Sequence, residues 1–198
     1  MIEKTEKTQD HFYREIDGFF DFENFYRGMV AKAPESAKFV EVGAWLGRST
    51  AFLLVEIINS NKNITFDVVD TWKGTIDDDG AISGAHIDAV QANNGDIYNK
   101  FLQPFRDRGL DKRFTPHKCE SAKASESFED ESLDLVYIDA NHSYENVTLD
   151  ITKWLPKVKK GGTIAGHDYI NSADIRKAVA DIFGDKFTTN GQTWIYVK

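Results

Sequence analysis

The chain has 198 residues, 41% hydrophobic and 13% aromatic, and 24 Lys and Arg against 32 Asp and Glu leave a net charge of −8. That composition excludes a disordered or collagen-like chain, and the acidic surplus repels phosphate backbones and anionic lipid surfaces, so neither nucleic acid nor a membrane is an expected partner. The lone cysteine, Cys119, cannot form an intrachain disulfide, the polar amino terminus has no signal-peptide core, and the longest apolar run, AFLLVEII, is too short to span a bilayer. One cytoplasmic domain over residues 1–198 is the expectation.

In chain order, Phe22, Phe25, Tyr26, Met29 and Val30 fall at helical spacing behind Asp21, a candidate N-cap, and Pro34 closes the segment. Residues 1–35 therefore read as an N-terminal helical cap. Lys38 to Val42 reads as a strand, Thr50 to Ile58 as an apolar helix and Ile64 to Asp70 as a second strand, together a βαβ unit. A Gly- and Asp-rich loop from Thr71 to Gly84 leads to an amphipathic helix marked by Ile97, Tyr98, Phe101, Leu102 and Phe105, so residues 71–110 form an insertion placed to cover a site.

Arg113 to Lys118 is a weaker strand signal, and LDLVYID (Leu133 to Asp139) reads as a strand covered on both faces. Tyr144, Val147, Ile151 and Trp154 trace a helix, Gly161-Gly162 leads into a strand from Thr163 to Gly166, and Ile175, Ala178, Val179 and Ile182 mark a further helix. Lys186 to Thr189 and Gln192 to Val197 flank Asn190-Gly191, a hairpin turn signal that makes the last strand antiparallel.

The segment FVEVGAWLGRST joins strand, glycine turn and helix, with Gly43 and Gly47 where the backbone must turn sharply or admit a ligand. Asp70 ends the next strand, where an acidic residue meets ribose hydroxyls in nucleoside-binding βαβ units. Trp45 occupies the place where a dinucleotide fingerprint needs glycine, which argues against NAD. Glu41 repels phosphate and attracts the ammonium and sulfonium charges of S-adenosylmethionine. Tight helix–strand packing is the alternative reason for both glycines.

Asp139 and His167-Asp168 end neighbouring strands at the carboxyl edge of such a sheet, about 4.8 Å apart, close enough to share one cation. Carboxylates and imidazoles suit Mg²⁺ or Mn²⁺, and are also compatible with Ca²⁺, Fe²⁺ or Zn²⁺. A cap from Asp168 and a hydrogen bond from His167 to a buried carbonyl are the non-metal alternatives.

The runs EVGAWLGRST, VVD, IDANHSYE and GGTIAGHDY, over roughly Phe39 to Phe183, together resemble class I S-adenosylmethionine-dependent methyltransferases, especially small metal-dependent O-methyltransferases of the catechol and antibiotic-sugar types. The resemblance implies an α/β, Rossmann-like, doubly wound seven-stranded sheet in a three-layer α/β/α arrangement, with an antiparallel C-terminal hairpin strand. It implies cofactor contacts at Glu41, Gly43, Gly47, Ser49, Asp70, Glu120, Ser121 and Asp139, with Ser121 equally readable as a helix cap. It implies metal ligands at Asp139, His167 and Asp168, His167 standing where a carboxylate is commoner. His142 takes the place of the general base, where the family uses lysine; a third ligand and a plain N-terminal helix residue are its other readings.

The expected reaction is transfer of a methyl group to a hydroxyl of a small-molecule acceptor. The alternatives are a non-haem metal-dependent hydroxylase, which leaves the turn and Asp70 without a role, and a non-catalytic nucleoside-binding domain. The acceptor pocket is expected between the N-terminal cap and the 71–110 insertion. Phe19, Phe20, Phe22 and Phe25 suit an apolar wall, a homo-oligomer interface or core packing alike.

Overall fold

The computed structural model describes residues 8–74 and 84–198. Helix α1 (Glu23–Lys32) precedes β1 (Lys38–Val42), α2 (Arg48–Asn59) and β2 (Thr65–Asp70). Helices α3 (Gly84–Ala92) and α4 (Tyr98–Arg106) then lead to β3 (Thr115–Lys118) and the short α5 (Ser121–Ser125). The chain continues through β4 (Leu133–Ile138), α6 (Tyr144–Trp154), β5 (Val158–Gly166), α7 (Ala173–Phe183), β6 (Thr188–Asn190) and β7 (Thr193–Val197). Helix α3 lies in the insertion without having been expected there, and the acidic run at 77–79 lies outside the described residues.

The strands form one sheet in the order β3-β2-β1-β4-β5-β7-β6, parallel from β3 through β5, with β7 antiparallel to both of its neighbours. Strand order reverses between β1 and β4, so the carboxyl ends of these two strands open a crevice where ligands bind in doubly wound folds. The register sets that crevice: Val42 pairs with Ile138, and Ile138 with Gly166, which brings Gly43, Asp139 and His167 to one edge.

Apolar side chains alternate between two buried layers, which makes the three-layer sandwich. Phe39, Val68, Leu135 and Tyr137 face the layer of α1, α2 and α4, while Val40, Val42, Val136 and Ile138 face that of α6 and α7. Ser143 and Ser172 cap α6 and α7 by accepting the backbone N–H of Asn146 and Ile175.

Three local expectations differ from the fold. Asp21 does not cap α1; Phe22 holds that position with no side-chain bond, because the Asp21 carboxylate is turned toward His167. Gly161-Gly162 lies within β5, which begins at Val158, at a register irregularity opposite Leu133 and Leu135. The hairpin turn is Gly191-Gln192, because Asn190 pairs with Thr193; Gly191 supplies the positive φ of 58°.

Candidate active site

The glycine turn after β1 is shaped by its neighbours before any ligand is considered. A β-carbon on Gly43 (φ 86°) would sit 1.9 Å from the Asp139 carbonyl oxygen, and one on Gly47 (φ 92°) 2.9 Å from both Phe101 and Phe105 of α4. Close packing thus demands both glycines. It also seats the turn directly against the backbone of Asp139, itself held by a 2.7 Å bond from its N–H to the Val42 carbonyl. Asp70 fastens the turn from the other side. One carboxylate oxygen accepts the N–H groups of Ala44 and Trp45 at 2.8 and 2.9 Å, and the other accepts that of Trp72 at 2.6 Å. Trp45 adopts φ 51°, so a bulky residue is held in the left-handed region at the crevice.

Glu41 is sealed rather than presented to an open cavity. It is 1% exposed, and its oxygens accept the Tyr26 hydroxyl at 2.8 Å and the Thr50 hydroxyl, with Ser49 also in hydrogen-bonding reach. Burial pushes its carboxyl up to about 7 against the pull of these three hydroxyls, and the charge of Asp139 adds to the rise. Glu41 and Ser49 therefore act on the crevice as one hydrogen-bonded unit. Tyr26 and Thr50, which the motif reading missed, are members of it. Thr50 lies within the motif itself, whereas nothing in the sequence ties Tyr26 to Glu41.

The acidic and histidine residues do converge. Asp139, His142 and Asp168 each offer a ligand atom, and these atoms all lie within 4.8 Å of one another. The His142 Nε2 stands 3.4 Å from Asp168 and 3.8 Å from Asp139, and these carboxylates hold its imidazole above the ordinary value despite the opposing effect of burial. His167 approaches through Nδ1, 3.3 Å from Asp168 and 3.9 Å from Asp139, while its Nε2 meets Asp21 at 2.7 Å. Burial opposes charge on His167, yet Asp168, Asp139 and Asp21 together raise it to about 9. The hydrogen bond from His167 in turn holds Asp168 below the usual carboxylate range.

Two carboxylates and two imidazoles placed this way shift each other by charge and hydrogen bonding, and a divalent ion held there would take the place of the protons. The donor set fits an oxygen- and nitrogen-ligated divalent cation. Asp168 also has φ 56°, a strained conformation of the kind that clusters at functional sites.

Glu120 and Ser121 lie at the start of α5 beside the crevice edge of β3, but they differ in environment. Glu120 is exposed. The Ser121 hydroxyl accepts the Trp154 indole N–H at 2.9 Å and hydrogen-bonds Asp150, which burial raises to about 6. Ser121 is thus engaged in packing α5 against α6, and it does not cap α5, whose N-terminal cap makes no side-chain bond. Beside the cluster, Asp21, Asn24, Phe25, Gln192 and Thr193 border a cleft of about 130 Å³ between the start of α1 and the terminal hairpin.

A doubly wound sheet closed by an antiparallel seventh strand, with its glycine turn and acidic cluster at the switch point, defines a class I S-adenosylmethionine-dependent methyltransferase fold, similar to that of O-methyltransferases. The chain belongs to the methyltransferase domain family, whose model matches residues 40–169. The solved structure of the O-methyltransferase NovP superposes with a TM-score of 0.68 at 19% identity, covering 89% of this chain and 78% of that one. That of CalS11, a calicheamicin methyltransferase, gives 0.58 at 13% identity, covering 88% and 76%. At these identities the likeness is one of fold. An uncharacterized protein, y4gI of Sinorhizobium fredii (strain NBRC 101917 / NGR234), is 28% identical over 162 residues, 81% of this chain, and the match spans only 16% of that protein's own length. Among the described residues, no helix is long and apolar enough to cross a membrane.

Proposed function

We propose that this methyltransferase moves the methyl group of S-adenosylmethionine to a hydroxyl oxygen of a small molecule, with a divalent cation at Asp139, Asp168 and His167 and with His142 as the base. The observation that carries this reading is the seating of the glycine turn against the Asp139 backbone, which puts the turn and the Asp139–His142–Asp168 cluster in one crevice. In the step, the bond from methyl carbon to sulfur breaks as the bond from oxygen to that carbon forms. The sulfonium becomes a neutral thioether, and the hydroxyl proton passes to the His142 imidazole.

The division of roles follows exposure. The side chain of His142 is 49% exposed, against 27% for Asp139, 21% for Asp168 and 11% for His167, so His142 is the member that an acceptor reaches from solvent. A divalent cation held there would supply positive charge that offsets the two carboxylates and would lower the pKa of a nearby hydroxyl. Asp139 and Asp168 hold the His142 imidazole above its ordinary value, and a cation between them would oppose that rise and favour the form that accepts a proton. Gly43, Gly47 and Ser49 shape the turn that holds the methionine end, and Asp70 sets the turn amides and offers its remaining lone pairs to a ribose. Glu120 and Ser121 border the adenine end. The cleft between α1 and the hairpin, lined by amide, carboxylate and aromatic groups, suits a hydroxyl-bearing acceptor.

The test is calorimetric titration with S-adenosylmethionine and its demethylated product, followed by isotopic methyl transfer to panels of hydroxyl- and amine-bearing acceptors with and without Mn²⁺. Cofactor binding and Mn²⁺-dependent label on hydroxyl compounds are expected. Absence of cofactor binding, or label on amines alone, overturns the reading.

A further inference from the structure

Asp21 borders the cleft proposed for the acceptor, yet it also makes the shortest contact of the cluster's histidines: its carboxylate lies 2.7 Å from His167 Nε2, across 146 positions of sequence. We infer that Asp21 is a positioning residue for the cation site, accepting the Nε2–H of His167 so that the Nδ1 lone pair is aimed at the gap between Asp139 and Asp168. The inference rests on the cation site proposed above.

The geometry leaves the ring little freedom. Its Nδ1 faces Asp168 at 3.3 Å and Asp139 at 3.9 Å, and the ring packs on Phe22 with centroids 5.0 Å apart. Phe22 stacks in turn on Tyr137 of β4 at 4.5 Å, and Tyr26 ties α1 to Glu41 of β1, so Asp21 is presented from a segment anchored on the sheet.

Acceptors face both nitrogens of the ring, and an imidazole that ligates a cation can keep only one of its two protons. With the proton on Nδ1, an N–H would point at Asp168 and close the site to a cation. With the proton on Nε2, bonded to Asp21, the lone pair of Nδ1 completes the donor set. A carboxylate behind a ligating histidine fixes tautomer and orientation in this way, and losing such a partner weakens metal binding by about 10- to 100-fold. Asp21 itself is 62% exposed, so replacing it removes little packing.

The experiment is titration of the full chain with Mn²⁺ alone, followed by calorimetry, for wild type, Asp21→Ala, Asp21→Asn and His167→Ala. Asp21→Ala is expected to weaken Mn²⁺ binding by about 10- to 100-fold, and Asp21→Asn, whose amide oxygen still accepts the Nε2–H, to fall between it and wild type. Histidine-selective ¹⁵N spectra recorded above about pH 9, where the ring is neutral, should show the Nε2–H tautomer in wild type and a shift toward Nδ1–H in Asp21→Ala, a change that a purely structural role would not produce. If His167→Ala weakens binding but Asp21→Ala does not, the inference fails and the cation site stands. If His167→Ala leaves Mn²⁺ affinity unchanged, His167 is no ligand, and the inference falls together with that part of the proposed site. Equal losses in Asp21→Asn and Asp21→Ala would show that Asp21 acts through its charge and not as the acceptor of the Nε2–H, and would overturn the positioning role.

Discussion

The carboxylate of Asp70 accepts the backbone N–H of Ala44 at 2.8 Å, which makes the end of β2 a latch on the glycine turn after β1. Because the same oxygen holds Trp45 and the other oxygen holds Trp72, the acid proposed to meet the ribose is also a structural anchor.

Asp70→Ala should therefore do two things at once. Cofactor binding should disappear in calorimetry, and the freed amides should lower unfolding free energy by about 1–3 kcal/mol in urea denaturation. Retention of full stability would show that the latch is idle in solution.

Gly43→Ala should be worse than its size suggests. The added methyl group would meet the Asp139 carbonyl at 1.9 Å with φ at 86°, so β1 and β4 must separate at their tips. A loss of about 4 kcal/mol or more, or failure to fold, is expected, since backbone overlap belongs to the mechanisms behind the largest single-residue effects. Recovery of a soluble protein with an unchanged melting temperature would contradict the close approach.

Glu41 makes stability depend on pH. The folded carboxyl keeps its proton up to about 7, whereas the unfolded one releases it near 4.5. Across that window the folded state binds more protons, so stability is greatest on the acid side and declines as pH rises toward 7, by about 3 kcal/mol from this group. Glu41→Gln should flatten the decline in denaturation curves taken between pH 4.5 and 7.5. Asp150 and His167 titrate in both proteins and drop out of the difference. Parallel curves for the two proteins would count against a proton held at Glu41.

His142→Ala should leave cofactor affinity nearly intact while slowing methyl transfer by about 10²- to 10⁴-fold, the usual scale for removing a general base. The side chain is half exposed, so its loss should disturb the fold little. A comparable loss of Mn²⁺ affinity would move His142 from base to ligand.

Much of the architecture was legible because it is written in short-range patterns. The β1–turn–α2 unit follows from a run of apolar residues broken by Gly43 and Gly47, and the near-continuous apolarity of Leu133–Ile138 marks a strand covered on both faces. The pairing of Asp139 with His142 needed only a three-residue spacing at a strand end. The hairpin turn was found one residue off, since the glycine signal locates a turn but cross-strand pairing sets its register.

Local chemistry, then, determined which residues would gather at the carboxyl edge: the turn glycines, the acids that end β2 and β4, and the histidines after β4 and β5. Tertiary packing alone decided what each of them touches. The Asp139 backbone, not a ligand, makes Gly43 obligatory, and burial, against the pull of the Tyr26 and Thr50 hydroxyls, keeps the proton on Glu41. Asp21 reaches His167 from the opposite end of the chain. Periodicity and turn propensity act over a few residues, whereas these contacts join segments whose separation along the chain carries no pattern until the sheet brings them within reach.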